Sequence, residues 1–285
     1  MWILLIINFE ILLACRGRYC QLVMGPAGSG KSTYCQTLMQ HCEAAKRRVH
    51  LVNLDPAAER FEYPPTIDIR DLITLEDVME ELGYGPNGGL IYCFEFLMEN
   101  LDWLEEQLGD YEDDYLILDC PGQIELYTHI PIMKQVARLL QQWNFQVVGV
   151  YCLESQFIED TSKYFAGVMS ATSAMSMLEI PHINVMTKMD LLSEEIRDNM
   201  DRYFDPDPLL LAEDANKSTS KRFKELNMAL ANLIDEFSMV SFLPLNIKDE
   251  DSVAYILSHA DNAIQWGEDQ EPKEPVDELE GPSED

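Results

Sequence analysis

One stretch limits the possible folds more than any other. Gly25-Pro26-Ala27-Gly28-Ser29-Gly30-Lys31-Ser32 matches the pattern G-x-x-x-x-G-K-[ST] at every defined position. It follows an apolar run, Tyr19 to Met24, and opens a stretch with helical character. A glycine-rich turn between strand and helix lets consecutive backbone N–H groups point into one concavity, and the helix N-terminus adds partial positive charge there. The result is a phosphate cradle. Lys31 would neutralise the β- and γ-phosphates and the Ser32 hydroxyl would ligate Mg²⁺. Gly28, Ser29, Gly30, Lys31, Ser32 and Thr33 are thus expected to bind a nucleoside triphosphate.

The rest of the chain has the alternation that such a cradle needs. Short apolar runs at Tyr19–Met24, Val49–Leu54, Leu90–Phe94, Tyr115–Leu118, Gln146–Leu153, His182–Met186 and Val240–Pro244 read as strands. Between them lie longer amphipathic stretches: one from near Lys31 to just before Lys46, then Leu101–Leu108, Ile132–Trp143, Phe165–Leu178 and Arg222–Phe237. Repeated βαβ units of this kind predict a three-layer α/β/α P-loop fold with a mostly parallel sheet and helical insertions. The segment Asp205–Ser220, rich in Pro, Asp, Asn and Ser, reads as a surface loop.

Charge and cysteine usage remove several function classes. With 51 acidic and 20 basic residues the formal net charge is −31, which repels nucleic-acid backbones and anionic lipid. Neither direct nucleic-acid binding nor membrane association is expected; the charge points to protein partners or simply to solubility. Seven cysteines without a C-x-x-C pair point to reduced thiols, not to a disulfide framework or a zinc site. Residues 1–18 begin with the apolar run Met1–Cys15, interrupted by Asn8 and Glu10. That is short of the ~20 residues of a membrane span and lacks the basic start of a signal peptide. An extra strand, a loose extension and a misplaced start codon all fit it, the last of these best. Residues 267–285 carry nine acids, one lysine and three prolines, and read as a disordered tail. Residues 19–266 are left as the folded domain.

Three further motifs follow the cradle. Asp119-Cys120-Pro121-Gly122 comes after the strand Tyr115–Leu118, where a carboxylate can hold the Mg²⁺ shell while the Gly122 N–H reports on the γ-phosphate. Gln123 and Glu125 are the nearest groups able to orient an attacking water, although Glu125 equally suits a helix N-terminus. Asp55, at the end of Val49–Leu54, is a third carboxylate on that edge, or an ordinary turn starter before Pro56. Thr187-Lys188-Met189-Asp190 fits [NT]-K-x-D after the strand His182–Met186. Its Asp190 can accept from guanine N1–H and the exocyclic amine, a donor pair that adenine lacks, so GTP is expected over ATP. A loop after Phe242-Leu243-Pro244 could also touch the base. The rival reading is an ATP-dependent small-molecule kinase; it needs lid arginines, and arginine is scarce after Arg138.

The segments GPAGSGKST, NLDPAAE, YGPNGG, DCPGQIELYTH and TKMDLL together resemble the GPN-loop GTPases, most of all their third eukaryotic branch, from about Tyr19 to near Gly267. By themselves Gly85-Pro86-Asn87-Gly88-Gly89 read as a turn before a strand. The resemblance implies more. It places Asp55, Asp119, Gln123 and Glu125 at positions associated with Mg²⁺ and the attacking water. It also implies a dimer, with itself or with a paralogous GTPase, in which Asn87 of one subunit reaches the phosphates of the other. Related dimeric proteins use a lysine after the first P-loop glycine for that contact; here Pro26 stands in its place. The biological role implied is assembly or nuclear import of RNA polymerase II, with its subunits as partners, from a cytoplasmic location with shuttling to the nucleus.

Overall fold

The computed structural model describes residues 17–59, 63–109, 115–192, 208–236 and 240–267. The expectations for residues 1–16 and 268–285 lie outside them. Seven strands form one sheet: β1 (Arg18–Met24), β2 (Val49–Asn53), β3 (Ile67–Asp68), β4 (Tyr115–Asp119), β5 (Phe145–Glu154), β6 (His182–Thr187) and β7 (Phe242–Pro244). Their order is β3-β2-β4-β1-β5-β6-β7 and every pairing is parallel. Parallel strands need crossover connections, and helices supply them everywhere but between β2 and β3, which the segment 54–66 joins with no helix among the described residues. On one face lie α1 (Lys31–Ala44) and, last in the chain, α10 (Glu250–Ala263). The other face carries α3 (Pro86–Glu99), α4 (Leu101–Gly109), the single turn α5 (Glu125–Thr128), α6 (Ile132–Gln142), α7 (Thr161–Leu178), α8 (Pro208–Ser218) and α9 (Lys224–Glu236). A short helix, α2 (Leu75–Leu82), packs against α3.

Strand alternation divides the core. In β1, Cys20, Leu22 and Met24 face the larger helical layer, while Tyr19 and Val23 face α1. Both faces are covered, so the central strands read as unbroken apolar runs, as buried parallel strands do. The chain passes from β1 to β2 on one side and from β4 to β5 across β1 to the other. This reversal opens a crevice at the carboxyl ends of the central strands, where ligands of open α/β sheets bind. The phosphate motif leaves β1 at that edge, Asp119 ends β4 there, Asp55 follows β2, and Thr187 ends β6.

Three expectations fail. Leu90–Phe94 is not a strand but the middle of α3, and Gly85–Gly89 are not a turn before a strand but the cap and first turn of that helix. Its buried residues Leu90, Cys93, Phe94 and Leu97 follow the i, i+3, i+4, i+7 spacing of a helix face, with Pro86 at the helix start. A five-residue window hides that period; a longer one exposes it. Nor is 205–220 a loop throughout: Pro208–Ser218 is helical, and its buried Ala212 and Ala215 meet the neighbouring layer formed by α7 and α9. Tertiary packing overrode a loop-like composition. Two helices were missed although their caps are legible. Thr74 accepts from the Asp77 N–H at the start of α2, and Asp249 accepts from the Asp251 N–H at the start of α10.

Candidate nucleotide site

The cradle takes its shape from glycine. Gly25, Gly28 and Gly30 have φ of +138°, +79° and +85°, a region that side chains disfavour. At Gly25 there is also no room, since a Cβ would lie 2.2 Å from the Cys152 carbonyl oxygen of β5. Lys31 is buried, and its Nζ donates to the carbonyls of Gly25 and Pro26, each at 3.2 Å. The ammonium thus sits inside the cradle, within reach of anything the loop encloses. Gly122 packs onto the cradle from the β4 side, where a Cβ would lie 2.9 Å from Ala27 Cα.

Asp119 is the electrostatic focus. It is 3% exposed, Ser32 bonds to its carboxylate, and its Oδ1 has no partner. Burial pushes its carboxyl up to about 6 against the opposing pull of Ser32 and Lys31. An ionised carboxylate buried with an unmet oxygen is costly unless a cation is supplied. Asp55 lies near enough to raise Asp119 further, and its own carboxyl is raised by burial, opposed by the Ala57 N–H and by Lys31. A hydroxyl, two carboxylates and an ammonium at one strand edge make a donor set suited to Mg²⁺ and phosphate.

The base motif is tied directly to the cradle. The Thr187 hydroxyl, 2% exposed, donates to the Ser29 carbonyl at 2.5 Å. Lys188 has a φ of +59°, and its Nζ pairs with Glu154 Oε2 at 2.6 Å. Met189 N–H donates to the Leu245 carbonyl, which brings in the loop after β7. In that loop Lys248 Nζ lies 3.0 Å from Asp190 Oδ2. The loop after β7 thus reaches Asp190, the carboxylate expected to read the base, through a residue that no motif flagged.

Known proteins share this arrangement over most of its length. A family model described as a conserved hypothetical ATP binding protein matches residues 23–266. A GPN-loop GTPase 3 from Mycosarcoma maydis is 61% identical over 275 residues, covering 93% of this chain and 98% of the relative. The GPN-loop GTPase 3 of Danio rerio is 56% identical, covering 93% and 94%. The chain belongs to the GPN-loop GTPase family. The solved apo form of a GTPase from Pyrococcus abyssi superimposes with a TM-score of 0.72 at 26% identity, over 86% of this chain and 97% of that one. The chain is accordingly a nucleotide-binding P-loop protein and a GTP hydrolase. The family model's description names ATP, whereas the relatives' name and the Thr187–Asp190 motif both point to guanine.

The residues that name the family sit at a helix start. Gly85 caps α3, Pro86 is its first residue and Asn87 its second. Asn87 Oδ1 accepts from Gln123 Nε2 of the same chain at 2.6 Å; Asn87 is exposed and Gln123 half-buried. The structure therefore joins Asn87 to the segment that leaves β4, next to the phosphate edge. Glu125 lies in the first turn of α5, where its backbone carbonyl accepts from the N–H groups of His129 and Ile130. Thr33 lies in the first turn of α1 and is exposed. Glu154, Ser155 and Lys248 are additions. Ser155 Oγ donates to the Lys188 carbonyl at 2.9 Å, so β5 and its following turn hold the base motif from behind. No local pattern announced these three, because their partners lie tens of residues away in sequence.

Proposed function

We propose that the chain hydrolyses Mg²⁺-bound GTP by in-line attack of water on the γ-phosphate, and that this resets a dimeric switch. The observation that carries the site assignment is the buried Asp119, whose Oδ1 has no partner beside Ser32 and Lys31. Ser32, Asp119 and Asp55 would hold Mg²⁺, which supplies charge neutralisation on the β- and γ-oxygens. Among the described residues no three His, Cys, Asp or Glu side chains gather as a metal-binding group. That suits Mg²⁺, which takes much of its shell from phosphate and water. Gly28 to Thr33 bind the phosphates. Gln123 places the water, with Glu125 or Asp55 accepting its proton or holding it by hydrogen bonds. Thr187 to Asp190 read guanine, and competition between GTP and ATP for binding tests that: equal affinity would favour the kinase reading. In single-turnover hydrolysis, Gln123→Leu should be slow, and a full rate would remove the water-placing role.

The dimer is proposed on the family resemblance, supported by the exposed position of Asn87 at the head of α3. In it Asn87, presented by Gly85 and Pro86, leaves Gln123 of its own chain and donates to the partner's phosphates, as an oxyanion donor does. A Lys31→Ala subunit mixed with an Asn87→Ala subunit should regain one working site; no recovery would count against the trans role. The partner is a second copy or a paralogous GTPase. The cellular role is assembly or nuclear import of RNA polymerase II, with action in the cytoplasm and shuttling to the nucleus. A net charge of −31 supports protein cargo over nucleic acid or membrane. Affinity purification that recovers no polymerase subunits would refute that role.

A further inference from the structure

The two-residue strand β3 buries little apolar surface, yet it is held by more polar contacts than its size requires. Its register sets Asp68 opposite Asn53, the last residue of β2. Asn53 is fully buried and its amide is used completely. Oδ1 accepts from the Asp55 N–H at 2.9 Å, while Nδ2 donates to the Asp55 carbonyl at 3.1 Å and to Asp68 Oδ1 at 2.8 Å. Asp68 is gripped by the Arg70 guanidinium, with Nε 3.0 Å from each carboxylate oxygen and Nη2 2.5 Å from Oδ2. Burial alone would raise Asp68, but Arg70 and Asn53 outweigh it and hold its carboxyl below the usual range. The other arm of Arg70, Nη1, donates to the carbonyls of Ala58 at 2.8 Å and Glu59 at 3.4 Å.

These contacts converge on one loop. Asn53 holds its second residue, Asp55, by both backbone polar groups, and Arg70 holds its far side at Ala58 and Glu59. Within the loop, Asp55 Oδ1 accepts the Ala57 N–H at 2.9 Å, which sets the direction of the carboxylate. Besides tying β3 to β2, the staple grips the loop backbone at Asp55 itself and again at Ala58 and Glu59, on the far side of the Asp55 carboxylate.

We propose that Asn53, Asp68 and Arg70 are positioning residues that fix the Asp55 carboxylate for hydrolysis. The inference rests on the reading that Asp55 acts at the Mg²⁺–water site. A bidentate guanidinium suits this task because its planar fork sets an angle as well as a distance, which a lysine ammonium does not.

A double-mutant cycle in single-turnover GTP hydrolysis by the full chain tests it. Arg70→Ala should slow the chemical step about 10- to 100-fold, the loss that a misplacement near 1 Å brings, with GTP affinity within about twofold. Arg70→Lys should stay slow, since it keeps the charge and loses the fork; it also serves if the alanine variant fails to fold. In an Asp55→Ala background, either Arg70 change should cost almost nothing more. That non-additivity separates positioning from a general loss of structure, which would add. A full rate in Arg70→Lys, or additive losses in the cycle, would overturn the inference. Full activity in Asp55→Ala alone would remove the underlying reading of Asp55 and the clamp with it.

Discussion

Replacing Thr187 by Val removes a single hydroxyl while keeping the branched shape. Its consequence follows from two distances. Thr187 Oγ1 lies 2.5 Å from the Ser29 carbonyl and 3.3 Å from that of Leu153, and with one proton to give it serves the nearer. Ser29 and Thr187 are each 2% exposed, so water does not reach the bond easily. Removing the donor from a buried acceptor costs about 1–3 kcal/mol. The bond also joins the loop proposed to read the base to the loop proposed to hold the phosphates, which GTP bound in that way would contact together. A weakened link lets the loops drift apart, and a loss near 1.4 kcal/mol would weaken GTP about tenfold. Denaturant unfolding and calorimetric titration with GTP measure the two quantities separately. Thr187→Ser keeps the hydroxyl and should remain close to the parent in both. If Thr187→Val matched the parent in unfolding midpoint and in GTP affinity, the coupling of the two loops through this bond would be wrong.

Three further outcomes are expected. Gly122→Ala puts a methyl group 2.9 Å from Ala27 Cα and 3.1 Å from its N, so backbone must move; overpacking of about 1–3 kcal/mol should appear as weaker nucleotide binding by titration. Arg47→Ala strips Asp261 of a bidentate partner at 2.6 and 2.8 Å and leaves the Tyr115 and Trp266 rings without their cation. With these side chains 13% and 16% exposed, a loss of about 2–4 kcal/mol is expected in chemical unfolding, somewhat below that of a fully buried pair. Burial, opposed by Asn184, lowers His182 to about 4 from an ordinary 6.5. The unfolded chain therefore takes up the proton first, and stability present above pH 6.5 is lost as pH falls towards 4, by about 3 kcal/mol from this group. His182→Phe should flatten that part of the stability–pH curve, as followed by unfolding at a series of pH values.

Much of the candidate site was legible because its motifs are local. Gly25 to Ser32 are contiguous, as a cradle of consecutive N–H groups requires, and Thr187 to Asp190 leave the end of β6 as one short motif. Asp119 to Gly122 is local in the same way. The failures had a different origin. Leu90–Phe94 looked like a strand because five apolar residues in a row carry no period, and only its neighbours Pro86 and Leu97 reveal the helix. The Pro, Asp, Asn and Ser of 205–220 read as a loop and masked the helical stretch PLLLAEDANKS within it, whose buried Ala212 and Ala215 pack into the core. The strand Ile67–Asp68 was invisible, since two residues next to Pro64 and Pro65 hold no pattern at all.

By itself, the sequence carried the P-loop motif, the Thr187–Asp190 motif, the alternation that marks an α/β fold and the resemblance to the family. Each depends on residues adjacent in the chain, where backbone geometry enforces proximity. Only the tertiary structure decided what stands behind them: Thr187 bonded to Ser29, Glu154 to Lys188, Lys248 to Asp190, and Arg70 with Asp68 and Asn53 around the Asp55 loop. All but the last of these contacts join segments 30 or more residues apart. They form because an all-parallel sheet brings the carboxyl ends of β1, β2, β4, β5, β6 and β7 to a single edge. Which side chains meet there depends on strand order and register, and neither is written in any one stretch of sequence.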